Sequence, residues 1–124
     1  MARNAAYAVI DKDAYTLQIG NGGDLDHSRS FDLDSVATGI ESILSYDVNP
    51  DITDGQDVHI EWELNNHVFL EQSFNTGDAR TWQWVIDKNL LKETDNRLTT
   101  RLTDQDKHGK VGIQNVTLLY TQKA

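Results

Sequence analysis

The stretch "VHIEWEL", residues 58–64, alternates apolar and polar residues without a break. In an extended strand, successive side chains point to opposite faces, so its four apolar residues share one face. Its histidine and two glutamates share the other face. This pattern predicts a β-strand with one buried and one solvated side, as is common in antiparallel sheets.

The residues that follow predict a hairpin. Asn65 and Asn66 come next, and asparagine tolerates the positive φ angles of tight turns. The segment "HVFLEQSF", residues 67–74, then returns as the partner strand. The pair forms the best-defined supersecondary element in the sequence.

Working outward, the same signals recur at roughly ten-residue spacing. Alternation and aromatic or β-branched residues predict further strands at 14–19, 28–33, 81–86, 96–103 and 111–120. The alternation of apolar residues changes phase within 111–120, and a bulge near Asn115 would explain the change. Segment 36–48 fits both a helical stripe and a strand, and Gly39 with the following turn favours a strand from about Ile40 to Val48. One helical turn and a loop are expected over 87–96.

About eight short strands separated by polar turns predict an all-β domain, an antiparallel β-sandwich or barrel. A chain of 124 residues fits a single domain, 1–124, large enough to bury a core without a metal or a disulfide. The predicted core contains Ile60, Trp62, Leu64, Leu91, Leu98, Leu118 and Tyr120.

Composition excludes several function classes. The chain has no cysteine, which excludes disulfides and cysteine-ligated zinc or iron–sulfur sites. A formal net charge of −9 with scattered Lys and Arg disfavours nucleic acid as a partner. It suits a soluble protein, a cation binder or a ligand for a basic protein surface. No apolar run approaches the roughly 20 residues of a membrane span, so no membrane association is expected.

The first residues, "MARNAAYAVIDKD", lack the apolar core of a signal peptide. Two interpretations stay open. The protein is cytoplasmic, or the sequence is a mature or excised module of a secreted protein.

The C-terminal half resembles galactose-binding-domain-like jelly rolls. The resemblance is carried by "IEWELNNHVFLEQSF", "TWQWVIDKNLLKETDNRLTTRL" and "GKVGIQNVTLLY". Leu64-Asn65-Asn66 matches the "LNG"-like turn of these modules, with Asn66 where glycine is usual. Leu90, Leu91, Lys92, Asn96 and Leu98 match their second element. The resemblance implies a jelly-roll β-sandwich that serves as a carbohydrate-binding module.

The segment 103–116, "TDQDKHGKVGIQNV", begins like a calcium loop. An EF-hand would need flanking helices and a carboxylate at its twelfth position, which is Asn115 here when Asp104 is the first. Since its flanks are predicted strands, a polar hairpin carrying Asp104, Asp106 and His108 is the preferred interpretation.

A second acidic cluster lies in "GNGGDLDHSRS", residues 20–30, where a glycine run precedes Asp24 and Asp26. Modules of the resembled class often hold a structural calcium ion in an early loop, and carboxylates suit that ion. The alternative is a loop between strands. We expect a bound Ca²⁺, if the protein has one, at Asp24 and Asp26 rather than in the 104–108 loop.

Trp82 and Trp84 share one face of a predicted strand and are the candidate sugar-stacking residues. The alternative is that both belong to the core; one in the core and one at the rim is favoured. Arg80, His59 and Glu61 are the expected polar neighbours. The ordinary explanation for the His59 and Glu61 stripe is a solvated strand face.

No catalytic motif is present in the sequence. There is no nucleophile elbow, no HExxH pairing and no close pair of histidines. Two functions therefore remain. The first is a non-catalytic binding module, for carbohydrate above all. The second is an acidic interaction domain, such as an inhibitor, immunity or assembly protein, that docks on a basic partner.

Overall fold

The computed structural model describes residues 4–18, 25–37, 39–52, 57–87, 89–103 and 109–123. Within these ranges the chain forms nine β-strands and no helix, so the predicted all-β class is confirmed. The strands are β1 (Asn4–Asp11), β2 (Tyr15–Gln18), β3 (Asp26–Phe31), β4 (Ser42–Ile52), β5 (Val58–Leu64), β6 (His67–Phe74), β7 (Arg80–Ile86), β8 (Asn96–Leu102) and β9 (Gly109–Gln122). No membrane-spanning helix occurs among the described residues.

The strands form two antiparallel sheets that pack as a sandwich. Sheet A has the order β1-β9-β4-β7, with β2 pairing the lower half of β9 on the same side as β1. Sheet B has the order β3-β8-β5-β6. If β1 and β2 are counted as one interrupted edge strand, each sheet has four strands. The chain then crosses between the two sheets in the order of a jelly roll. The expectation of about eight strands in a jelly-roll sandwich is confirmed.

Strand β1 has no counterpart in the sequence prediction. Its inward positions include Ala6 and Ala8, small residues that give a weak alternation signal. Pairing with the central strand β9 holds it in the sheet. Over 87–96, where one helical turn and a loop are expected, the described residues form no regular helix. Residues 87 and 89–95 form a turn in which Leu90 N–H donates to Asp87 O at 3.1 Å.

The core lies between the sheets, and six of its seven predicted residues are buried. The exception is Leu91, which is partly buried and packs against the core. Trp62 is fully buried beside Tyr46, with ring centroids 4.5 Å apart. Burial of such side chains supplies most of the stabilisation of a small sandwich.

The predicted tight turn and the predicted β-bulge are also confirmed. Asn65 and Asn66 have φ angles of 51° and 70° between β5 and β6. The bulge expected on β9 occurs at Asn115, with φ 55°, where the pairing register with β4 shifts. Because one extra residue is inserted there, Ile113 and Val116 both face the core.

Asn96 anchors the corner where the chain re-enters sheet B. Its Nδ2 donates to Lys92 O at 2.6 Å, and its Oδ1 accepts from Lys92 N–H at 2.9 Å. Asn65 Nδ2 adds a bond to the same Oδ1 at 3.0 Å. A buried amide with its hydrogen bonds made can hold an irregular corner without a helix.

Candidate functional site

Strand β7 presents Arg80, Trp82 and Trp84 on one face, as predicted. They pair with Val48, Tyr46 and Leu44 of β4, whose side chains are buried, so this face is directed towards sheet B. Trp82 is partly buried and meets Phe74 of β6 edge-on, with centroids 6.2 Å apart. Trp84 is 44% exposed at the edge of the sandwich.

His59 and Glu61 lie elsewhere. Both belong to the polar face of β5, which is the outer face of sheet B. Glu61 accepts a hydrogen bond from Arg101 at 2.8 Å, and His59 Nδ1 lies 2.7 Å from Ser73 Oγ. The structure therefore does not bring the five predicted ligand residues together on one surface.

The outer face of sheet B is a network of paired charges. Arg101 bonds both Glu61 and Glu63, the latter at 2.6 Å. Beside them is a shallow cavity of about 230 Å³ that Asp26 and Arg97 help to line. Glu61 is thus held in an ion pair that it shares with Glu63.

The predicted cation site is described only in part. Asp24 lies outside the described residues, as do Asp104, Asp106 and His108 of the alternative loop. Asp26 is exposed on β3 and stands opposite Arg101 in the pairing with β8. The described ranges contain no cluster of three or more potential ligands for a metal ion. The calcium site remains a prediction.

A trough crosses the outer face of sheet A. It consists of two adjoining cavities of about 490 and 600 Å³, both lined by Thr16, Gly112 and Asn49. These three residues are neighbours across β2, β9 and β4, so they form a row at right angles to the strands. Gly112 has no side chain at the centre of the row, and this leaves the floor of the trough open.

The walls of the trough are the next rows along the strands. On one side lie Gln114, Asp47 and Thr81, and on the other lie Lys110 and Asp51. All of these side chains end in hydrogen-bonding groups, so the trough can bind a ligand rich in hydroxyls.

Asp47 is held rigidly in its wall. Thr81 Oγ1 donates to its Oδ1 at 2.6 Å, and Asn115 Nδ2 donates to its Oδ2 at 2.8 Å. These two hydrogen bonds lower the pKa of Asp47 below its ordinary value. The carboxylate is thus ionised and oriented over the trough at neutral pH.

Arg80 also lines the trough, where β7 begins. Its guanidinium lies 3.8 Å from Asp78 and is largely exposed. Arg80 is the one predicted ligand residue that borders this cavity. The rest of the lining was not identified from the sequence, because its residues come from four strands and carry no shared motif.

A second group missed by the sequence analysis lies where β1 and β2 meet β3. Asp11, 3% exposed at the end of β1, receives Arg29 Nη2 at 2.9 Å and His27 Nε2 at 2.6 Å. The His27 ring stacks on Tyr15, with centroids 3.8 Å apart. Tyr15 Oη lies 2.9 Å from Thr100 Oγ1 of sheet B.

Ion pairs in this cluster link the two sheets. Burial alone would raise the pKa of Asp11, but hydrogen bonds from Arg29 and His27 outweigh it, and the pKa lies below its ordinary value. Burial raises the pKa of Tyr15, whose hydroxyl stays protonated. The group joins β1 and β2 of sheet A to β3 and β8 of sheet B.

No protein-family model matches the chain, and no curated protein matches it. Among solved structures, dimeric latent PorU from Porphyromonas gingivalis is similar over 99% of this chain, with a TM-score of 0.75 and 10% identity. This chain spans 13% of the length of that PorU chain. The likeness shows a shared fold.

A second similar structure is the CBM36-1 domain of a multidomain xylanase from the hindgut metagenome of Trinervitermes trinervoides. It covers 98% of each chain at a TM-score of 0.47 and 14% identity.

Proposed function

We propose that this protein is a non-catalytic carbohydrate-binding module whose ligand lies in the trough of sheet A. The observation that carries the proposal is the trough itself, floored by Thr16, Gly112 and Asn49 and walled by amide, hydroxyl and carboxylate groups. Ligand sites are typically concave surfaces with a small number of well-placed polar groups. The resemblance of the C-terminal half to carbohydrate-binding jelly rolls supports the same function.

The polar groups suit sugar hydroxyls in particular. Asn49 and Gln114 each offer a donor and an acceptor, and the Asp47 carboxylate accepts two hydrogen bonds from the protein with lone pairs to spare. Thr81, on the outer face of β7, lies in the same wall and adds a hydroxyl group.

The placement of the carboxylates supports binding without hydrolysis. Asp47 and Asp51 lie four residues apart on β4, so their Cα atoms are about 13 Å apart. The two carboxyl groups of a glycosidase lie roughly 5–9.5 Å apart. Asp47 is tied to Thr81 and Asn115, and Asp51 lies 3.7 Å from Lys110, which holds the two groups separate.

The test is a steric block of the trough. A Cβ at Gly112 would lie 3.6–3.7 Å from Asn49, an ordinary contact, so Gly112→Val is accommodated while it fills the floor. Plant and bacterial polysaccharides are screened by affinity gel electrophoresis, and the best ligand is titrated calorimetrically. We expect Gly112→Val to weaken binding by about tenfold or more, which is roughly 1.4 kcal/mol.

Two further variants complete the experiment. Ser30→Val places the same side chain at an exposed strand position of sheet B and should leave binding unchanged. Trp84→Ala tests the alternative site predicted from the sequence, at the edge of β7. If no polysaccharide retards the protein, or if Trp84→Ala abolishes binding and Gly112→Val does not, the trough is not the carbohydrate site.

A further inference from the structure

The outer face of sheet A carries a second feature, at the end away from the trough. Tyr7, Leu119, Ile43 and Val85 pair with one another in register across β1, β9, β4 and β7. All four are large exposed hydrophobics, from Tyr7 at 72% to Ile43 at 38% exposure. We call this line the apolar row. Single exposed hydrophobics are common, but a contiguous row across a whole sheet indicates an interaction surface.

The surroundings of the apolar row are uncharged. The neighbouring outward positions on the same four strands are Ala5, Val9, Ser45, Gln83, Thr117 and Thr121. Together the ten residues form a patch without any ionisable group except the Tyr7 phenol. Among the residues that the structure describes, the nearest charges on these strands and their flanks are Glu41, Asp47, Asp87 and Lys123.

This chemistry excludes several occupants. An anionic membrane attracts clustered Lys and Arg, and three of the four nearest charges are acidic. A basic partner would pair with carboxylates inside its footprint, and the patch has none. A carbohydrate would need several polar groups with an aromatic platform, and Tyr7 is the only aromatic residue of the patch.

We propose that the occupant is a second copy of this chain, packed face to face through the apolar row. An isologous contact uses the same surface of both copies, so every carboxylate within it occurs twice and adds to the repulsion between two acidic chains. In a chain of net charge −9, an uncharged patch is the surface on which two copies meet without that repulsion.

The order of residues in the row is self-complementary. A two-fold axis parallel to the strands, between β9 and β4, reverses the row on the facing copy. Tyr7 then lies against Val85, the largest side chain against the smallest, and Leu119 lies against Ile43. The combined bulk is nearly constant along the row, as close packing between two sheets requires.

The size of the patch sets the strength of the dimer. Ten residues spaced about 4.8 Å across the strands and about 6.8 Å along them cover roughly 330 Å². A standard stable interface buries about 800 Å² on each partner. The dimer is therefore weak and concentration-dependent.

Sedimentation equilibrium of the full chain over a wide concentration range tests the proposal. Val85→Lys should raise the dimer dissociation constant by about tenfold or more, since it buries a charge in the contact. Val68→Lys is the matched control, because Val68 is 47% exposed on β6 of the other sheet. Ile43→Lys repeats the test at the centre of the row, and thermal unfolding checks that each variant is folded.

The register of the contact has its own test. Because the chain has no cysteine, Ile43→Cys and Leu119→Cys each introduce a unique thiol. Under mild oxidation, a mixture of the two variants should cross-link faster than either alone. A wild-type protein that stays monomeric at every concentration would overturn the proposal, as would equal loss of the dimer in Val85→Lys and Val68→Lys.

Discussion

Where β1 and β2 lie over β3, the sandwich is closed by charge, and where β7 lies over β6, it is closed by aromatic rings. On the first side, the buried Asp11 carboxylate holds Arg29 and His27 across the gap. On the second side, Trp82 packs on Phe74. Each side joins an edge strand of sheet A to an edge strand of sheet B. Ion pairs make the connection on one side, and aromatic rings make it on the other.

The difference has an energetic consequence. A buried ion pair gains attraction but loses hydration, so its net contribution is small unless one partner is removed. An aromatic contact loses little hydration free energy when it forms and contributes through the apolar area that it buries. The aromatic side should therefore tolerate pH change, and the charged side should not.

The largest effect is expected on the aromatic side. Trp82→Ala removes a ring that packs on Phe74 and should lower the free energy of unfolding by about 3 kcal/mol. Trp84→Ala is the control on the same strand face and should cost less than about 1 kcal/mol, since Trp84 is 44% exposed. Urea denaturation measures both values. Equal losses would mean that both rings belong to the core.

A substitution on the charged side should lower the free energy of unfolding somewhat less. Asp11→Ala removes two charge-assisted hydrogen bonds and should lower the free energy of unfolding by about 2 kcal/mol. Asp47→Ala also removes two hydrogen bonds, but nearer the surface, and should cost less than about 1 kcal/mol. If Asp11→Ala is no more destabilising than Asp47→Ala, the ion pairs do not hold this side together.

A smaller effect is expected where a polar bond crosses the aromatic side. Tyr46 Oη donates to Gln72 Oε1 at 2.5 Å, and Tyr46→Phe would leave that oxygen without its donor. We expect a loss of about 1 kcal/mol in chemical denaturation. Tyr120→Phe, which removes a 3.3 Å bond to Asp34 O, should cost less. The reverse order would show that the Tyr46 hydroxyl contributes little.

The stability of the charged side should depend on pH, and that of the aromatic side should not. A carboxylate whose pKa is lowered in the folded state stabilises it above the unfolded pKa, near 3.8 for Asp11. That contribution is lost as the pH falls through the lower folded pKa. Thermal unfolding of the wild type should therefore shift downward below about pH 4. Asp11→Asn should show a smaller shift, and Trp82→Phe should keep the wild-type shift.

The sequence predicted the fold where alternation is strong and missed it where alternation is weak. Strand β5 runs from Val58 to Leu64 as predicted, because large apolar and charged residues alternate at every position. Strand β1 was missed, since Ala6 and Ala8 bury too little area to mark an inward face. Tertiary pairing with β9, rather than local preference, makes that segment extended.

The candidate site was less accessible from sequence than the fold. Trp82 and Trp84 drew attention because large aromatics on one strand face are visible locally. The trough depends on Thr16, Gly112 and Asn49, which become neighbours only through the pairing of three strands. Likewise, Asp11 and Arg29 are 18 residues apart, and no local pattern relates them.

Strand β9 has a kinetic consequence for synthesis. It pairs with β1, β2 and β4, and these partners precede it by about 60 to 115 residues, from Ile52↔Gly109 to Asn4↔Gln122. Contacts of such long sequence separation slow folding, since the intervening chain must be ordered before they form. Sheet A cannot assemble until β9 has left the ribosome. Until then, the apolar strands that it will pair remain open to chaperones.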